Sequence, residues 1–588
     1  MSRFLKSVNC VQILLFPHSK SRLYRSVTSK RTNSTAAESK EVDVKLIRNF
    51  SIVAHVDHGK STLADRLLEI TGVIKPGAER AQVLDQLQVE RERGITVKAV
   101  TASLNYVYNN EKYLLNLIDT PGHVDFSNEV VRSVSACQGV ILLVDANEGV
   151  QAQTVAVHSL AKRNNLVIIP VLNKVDLPRA NPENCKGQMK SLFNIDPETV
   201  LSISAKKGWG VKELLEAVIT RIPAPTVDLK SPFMAHIIDT WHDRYRGVLC
   251  LAYIHSGRVE VGSAVRWSGE SKQHVVKHLA LLRPSEEPVD TAVAGQVVMV
   301  GCGPKGGGAV GSQLVSSDHP AATAGAGAPA VKHMVYAGVF PADQSQHPML
   351  SDAIKKLGLN DSAVSIHPDS SPALGQGWRV GFLGLLHLDV FSQRLFQEYK
   401  AEAILTAPSV PYKIRVKGAK IIKQYKGEEV IITNPLQLPH PHHIEEYYEP
   451  FVIGTIITPV EYLGSVNTLC IDRRGAPLPP APSMIARLCF STSCHWSEVL
   501  VDFHDTLKSI TSGFASFDYQ DYGFHPSPLV RLFWILPRVV DERTTLLQYI
   551  LALSEVLVDF HDTLKSITSA FASFDYQDYG FHPSPLVR

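Results

Sequence analysis

Residues 49–70 read NFSIVAHVDHGKSTLADRLLEI. NFSIVAH is a short apolar run with strand character, and STLADRLLEI sets Leu63, Leu67 and Leu68 along one face of a helix. Between them Ala54, His55, Val56, Asp57, His58, Gly59, Lys60, Ser61 and Thr62 fit a phosphate-binding loop, with Ala54 where the first glycine usually stands. The chemistry explains the pattern. Backbone N–H groups at a helix N-terminus cradle phosphate oxygens, Lys60 reaches the outer phosphates, and the Ser61 hydroxyl is suited to Mg²⁺.

Four more motifs follow in order. ERERGIT (90–96) places Thr96 to close on Mg²⁺ and a γ-phosphate as a switch loop. YLLNLIDTPGHVDF (113–126) is an apolar strand ending at Asp119, with Thr120, Pro121, Gly122 and His123 next. Asp119 can hold Mg²⁺ through water and the Gly122 N–H can sense the γ-phosphate, which makes Ser61, Thr96 and Asp119 the expected metal set. LVIIPVLNKVD (166–176) ends in Asn173, Lys174, Val175 and Asp176. A carboxylate at Asp176 can accept from guanine N1–H and its exocyclic amine, a pair adenine does not offer, so GTP is the expected cofactor together with Mg²⁺. VLSISAKKG (200–208) presents Ser204, Ala205 and Lys206, whose backbone can meet guanine O6. Each motif alone is short; four in order, each closing an apolar strand, make chance matches untenable. Strands alternating with helical stretches such as VKELLEAVITRI indicate a doubly wound, mostly parallel sheet with its ligand at the strands' carboxyl ends. His123 is the expected catalytic residue, standing where small GTPases carry the glutamine that orients the attacking water. Val56 and Ile95 are candidates for an apolar gate beside it.

At 588 residues the chain has room for three to five domains. Apolar residues make up 45% and charged residues 20%, an ordinary globular composition. No apolar run approaches the roughly 20 residues of a membrane-spanning helix. Eight scattered cysteines without CxxC spacing suggest free thiols, and His440, His442 and His443 in a Pro-rich turn read as a solvated loop. Residues 1–40 are expected to be a mitochondrial transit peptide: the first 37 hold seven Lys or Arg and no acid. Setting those seven charges against the formal +2 leaves the remainder near −5, so overall charge gives no support for nucleic-acid binding.

The strings AHVDHGKST, RERGIT, DTPGHVDF and NKVD closely resemble the translational GTPases. Asp176 and Ser204 lie 28 positions apart, with no room for the insertion of elongation factor G. SPALGQGWRVGFLGLLHLDVFSQRL (371–395), TAPSVPYK (406–413) and EEYYEPFVIGTIITPVEYLGSV (445–466) resemble the elongation factor 4 (LepA) family, in a mitochondrial form. The resemblance covers roughly 45–300 and 331–531. It implies a GTP-binding domain (46–228), a β-barrel (231–300) and two α+β, ferredoxin-like domains (331–405 and 410–531). It also implies a ribosome-stimulated GTPase that acts on stalled or mistranslocated elongation complexes by back-translocation. Expected partners are the mitochondrial ribosome, with rRNA and tRNA contacts, and the matrix side of the inner membrane, met peripherally by a monomer. The alternatives are a translocase of the elongation factor G type and a GTP-binding scaffold with little turnover.

Two regions depart from the family pattern. Residues 301–330 are half Gly or Ala and read as a linker. Residues 497–531 recur at 554–588 with one change, Gly513 to Ala570, as duplicated exons kept in one transcript would produce; 532–588 is therefore set apart, and the family's C-terminal domain has no counterpart. The later copy follows a family-like lead-in, ERTTLLQYILALSE. It is expected to dock as a strand through Val556, Val558 and Phe560, leaving the earlier copy (Val499, Val501, Phe503) and 476–553 around it poorly packed.

Overall fold

The computed structural model describes residues 43–526 apart from 75–82, 304–309, 318–330, 478–487 and shorter gaps at 86, 244, 269, 271, 284, 362, 372–373, 435–436, 459–461, 473–475 and 501–502, together with 538–539 and 545–546. The transit-peptide segment and the copy at 554–588 lie outside these residues.

The first domain is built on β1 (Ile47–Ala54), β2 (Val100–Tyr108), β3 (Glu111–Asp119), β4 (Gly139–Asp145), β5 (Val167–Asn173) and β6 (Leu201–Ser202), in the order β2-β3-β1-β4-β5-β6. All neighbours pair parallel except β2, which runs antiparallel to β3 at the edge. The central strands are apolar on both faces because helices cover both. These helices are α1 (Lys60–Ile70), α2 (Gln88–Arg93), α3 (Ser127–Ser135), α4 (Ala152–Arg163), α5 (Pro182–Phe193) and α6 (Val211–Arg221). Leu63, Leu67 and Leu68 of α1 are fully buried against β1 and α6, as their spacing requires. The arrangement brings the ends of β1, β3 and β5 and the start of α1 to one edge of the sheet.

Next comes an eight-stranded antiparallel sheet around its own apolar core, the barrel expected from the alternating sequence. One correction is needed here. Gln313–Ser316, within the supposed linker, is a barrel strand pairing with both Met234–Asp243 and Ala264–Trp267, and Gly301 ends the strand Val297–Gly301. Leu314 and Val315 are buried; two apolar residues amid glycine and alanine are too few to show a period.

The third domain is a four-stranded sheet with α7 (His347–Asn360) and α8 (Leu385–Tyr399) packed against it through Leu350, Ile354, Leu357, Phe391 and Leu395. In the fourth, Ile444–Thr458 pairs with Tyr412–Val416, Leu488–His495 and Ser516–Pro526.

Here one expectation for the duplicated segment is overturned: the earlier copy is not poorly packed. It docks, and its first part is helical: Trp496–Leu500 and Phe503–Ile510 are helices, while Ser516–Pro526 is a strand along Ile444–Thr458. Val499 of the first helix and Phe503 and Leu507 of the second recur every four residues, and all three are buried in one cluster with Val452, Ile456 and Val466. The period-2 reading of Val499 and Phe503 was the weaker of two patterns in the same letters. The single difference between the copies favours the earlier one. Gly513 has φ +83° and its N–H closes the helix end on the Lys508 carbonyl at 2.8 Å. The later copy has Ala570 at the matching position, and alanine in the left-handed region is strained.

Candidate guanine-nucleotide site

After Ala54 closes β1, the chain turns through His55–Gly59 into α1. The turn needs two left-handed residues, Asp57 (φ +63°) and Gly59 (φ +91°). A side chain at Gly59 would meet Asn173 Nδ2 at 2.5 Å, so close approach as well as φ selects glycine. The N–H groups opening α1 are those a helix leaves without internal partners, and with the helix dipole they form an anion cradle. Lys60, itself buried, lies 3.4 Å from Asp119 and donates to the Thr120 carbonyl.

His55, Val56, Asp57, Gly59, Lys60, Ser61, Thr62, Thr96, Gly122, His123 and Lys174, with Gly94 and Ile95, line one cavity of about 210 Å³. Phosphate-loop, switch-loop and DTPGH residues are thus together. Ser61 and Thr96 hydroxyls stand 3.4 Å apart. Asp119 is completely buried, burial pushes its carboxyl up despite the Lys60 ammonium, and neither oxygen has a hydrogen bond among the described residues. A buried carboxylate paired with the Lys60 ammonium but with no hydrogen bond to either oxygen has the donor chemistry of a hard divalent cation site, as do the two hydroxyls. Thr120 is tied to the Ile52 carbonyl at 2.9 Å, and Gly122 approaches the Ala54 carbonyl so closely that a Cβ would stand 3.2 Å from it.

Asp176, Val175, Ser204, Ala205 and Lys206 do not line that cavity. Nor do Ala54, His58, Asp119, Thr120, Pro121 and Asn173. The base-side loop is tied to the phosphate loop through Asn173, whose Nδ2 donates to the His58 carbonyl (2.9 Å) and whose Oδ1 accepts from Ala205 N–H (3.0 Å). Val175 N–H bonds the Ile203 carbonyl at 3.3 Å, and Asp176 stays half-buried at the end of this loop. Lys174, left-handed like Asp57, pairs with Asp145 at 2.7 Å.

Several positioning residues have no sequence signature. Arg66 of α1 donates to the Ala205 and Lys206 carbonyls (2.9 and 2.8 Å), fixing the base-side loop. Glu90 accepts from Val97 and Lys98 N–H and Asp85 accepts from Thr96 Oγ1 at 3.1 Å, fixing the switch loop. His55, bonded to Gln153, is held down to about 4 by burial and by His58, so it stays neutral near pH 7. His58 is buried, accepts from Asp145 N–H at 3.2 Å, and keeps the Glu148 carboxyl low. His123 is half-buried, with Nδ1 accepting from Asp125 N–H at 3.1 Å. Ile95 packs into an apolar cluster with Val97, Phe126 and Val390.

Residues 45–224 match the elongation factor Tu GTP binding domain, and 446–532 the elongation factor G C-terminus. The chain is 55% identical to "Translation factor GUF1 homolog, mitochondrial" of Aedes aegypti, covering 86% of this chain and 78% of that protein. It is 49% identical to "Translation factor GUF1, mitochondrial" of Homo sapiens, covering 87% and 76%. The chain belongs to the GUF1 family of mitochondrial translation factors. This is the LepA grouping that the motifs indicated, and with the GTP binding domain matched over 45–224 the chain is a translational GTPase, a hydrolase acting on GTP. "Translation factor waclaw, mitochondrial" of Drosophila melanogaster, 52% identical over 88% of this chain and 76% of its own length, is another relative. A crystal structure of a Thermus thermophilus protein shares the fold (TM-score 0.56, 18% identity, 82% of this chain and 98% of that one). Among the described residues no helix is long and apolar enough to cross a membrane.

Proposed function

We propose that the chain is a ribosome-dependent GTPase of the mitochondrial matrix that acts on stalled or mistranslocated elongation complexes, moving them back and so protecting fidelity. Residues 1–40 act as its transit peptide, its partner is the mitochondrial ribosome through rRNA and tRNA contacts, and the monomer rests peripherally on the matrix side of the inner membrane. The observation that carries the reading is the position of His123. It borders the nucleotide cavity and also a second cavity, of about 370 Å³, lined from the first, third and fourth domains. A partner that shifts those domains can therefore act on the residue nearest the chemistry.

In this reading Lys60 and the N–H groups of Gly59–Thr62 hold the β- and γ-phosphates, and Asp176 with the backbone of Ser204, Ala205 and Lys206 reads guanine. Ser61, Thr96 and Asp119 would hold Mg²⁺, which neutralises phosphate charge. His123 orients the attacking water once Val56 and Ile95 part. Such a role acts only in the transition state, so it leaves GTP affinity untouched.

Single-turnover GTP hydrolysis with and without mitochondrial ribosomes tests the proposal. Strong stimulation is expected; a rate indifferent to ribosomes would favour a GTP-binding scaffold.

A further inference from the structure

The loop that carries His123 is gripped from two other domains, and the grip is on Asp125. Its carboxylate is buried. One oxygen accepts from the N–H groups of Leu386 (2.9 Å) and His387 (3.3 Å) in the first turn of α8. The other accepts from the Tyr519 hydroxyl at 2.8 Å. Gly384 completes the fit, since a side chain there would run into the carboxylate. On its other side Asp125 donates its own N–H to His123 Nδ1 at 3.1 Å.

That last bond has a chemical consequence. With Nδ1 accepting, a neutral His123 ring carries its proton on Nε2 and has no free acceptor left to take a hydrogen bond from water. A histidine that must accept from the attacking water has to leave this arrangement first. The bland alternative, that Asp125 only glues domains together, does not need the anchor to hold the imidazole. The same strand already has a gluing contact elsewhere: Ala152 N–H donates to Ser516 Oγ at 3.0 Å, away from the loop.

We propose that Asp125 is a positioning residue, and that its clasp by Tyr519 and the first turn of α8 keeps His123 in a resting state until rearrangement of the third and fourth domains releases it. The proposal rests on His123 as the water-orienting residue.

The test measures ribosome-free and ribosome-stimulated hydrolysis, with the KM for GTP, in full-length Tyr519→Phe and Ser516→Ala. Tyr519→Phe removes only the hydroxyl from a bond to a charged group. It should raise the ribosome-free rate about three- to tenfold at unchanged KM, lowering the stimulation ratio by the same factor. Ser516→Ala should leave both rates as they are. An unchanged ratio in Tyr519→Phe, or an equal gain in Ser516→Ala, overturns the clasp. Adding His123→Ala to Tyr519→Phe should erase the gain; a gain that survives also overturns it. Absence of ribosome stimulation in the unmodified chain would instead refute the functional reading itself.

Discussion

The nucleotide pocket and the sheet edge around Ser516–Pro526 are held together in opposite ways. Around the pocket the ties are polar and pointwise: Asn173 to His58 and Ala205, Arg66 to two carbonyls, Glu90 to two amides. Each is worth only about 0.5–1.5 kcal/mol net, or up to about 3 where a charge is involved, but each fixes a geometry. Around Ser516–Pro526 the hold is apolar: Trp496, Val499, Phe503, Leu507 and Ala515 disappear into one core with Val452 and Ile456. Burial of that kind is large, roughly 1.5–3 kcal/mol per side chain, and indifferent to direction. Damage to the first region should therefore appear in affinity and rate, and damage to the second in stability. Asp125 is where they meet.

The largest effect expected is catalytic. His123→Ala should cut ribosome-stimulated hydrolysis by about 10²–10⁴-fold with GTP affinity nearly intact, because the residue is assigned to the transition state alone. A mutant that binds GTP poorly yet turns over normally would make His123 a structural loop residue and erase the contrast.

Phe503→Ala probes the other region. Phe503 is fully buried and packs on Phe517 at 5.0 Å between ring centroids. Its truncation should cost about 3–5 kcal/mol, read as lost hydrogen-exchange protection across Ser516–Pro526, since a multidomain chain has no single unfolding free energy. The matching Phe560→Ala should change protection there by less than about 0.5 kcal/mol, because Phe503 holds the place. Comparable losses from both would mean that the copies share the site.

What could be read from the letters follows the same division. The phosphate loop, DTPGH and NKVD were legible because each needs a few residue types at fixed spacing beside one strand. Arg66 with Ala205, or Asp125 with Tyr519, could not be, since their partners lie 139 and 394 positions away. The copy at 497–531 was a sharper failure. Its lead-in text argued against it, whereas it packs into a core. Val499 and Phe503 also fit two periods, and only the core they enter decides between strand and helix. Gln313–Ser316 went unseen for want of length.

Asp176→Asn sharpens the polar side of the contrast. A neutral amide cannot accept both guanine hydrogens but can pair with xanthine. GTP binding should weaken by about 1.5–3 kcal/mol per lost bond while tolerance for xanthosine triphosphate rises. A competition titration with unchanged base preference would remove the guanine role from Asp176.

The smallest effect expected is also the one that separates the two copies. Gly513 sits at φ +83°, and a Cβ built there meets nothing within 4 Å. Gly513→Ala therefore introduces no clash, and only backbone strain remains, about 1–2 kcal/mol for an L-residue in the left-handed region. Part of it is offset because alanine also has fewer unfolded conformations to lose. The net should be about 1 kcal/mol off the protection of Phe503–Ile510 and Ser516–Pro526, with GTP hydrolysis unaltered. The reciprocal Ala570→Gly, made together with Gly513→Ala, hands that advantage to the later copy. Limited proteolysis with mass mapping should then show cleavage within 497–526 rising relative to the unmodified chain. If cleavage there stays unchanged, the glycine does not set the preference, and the lead-in from Leu488–His495 alone keeps the earlier copy in place.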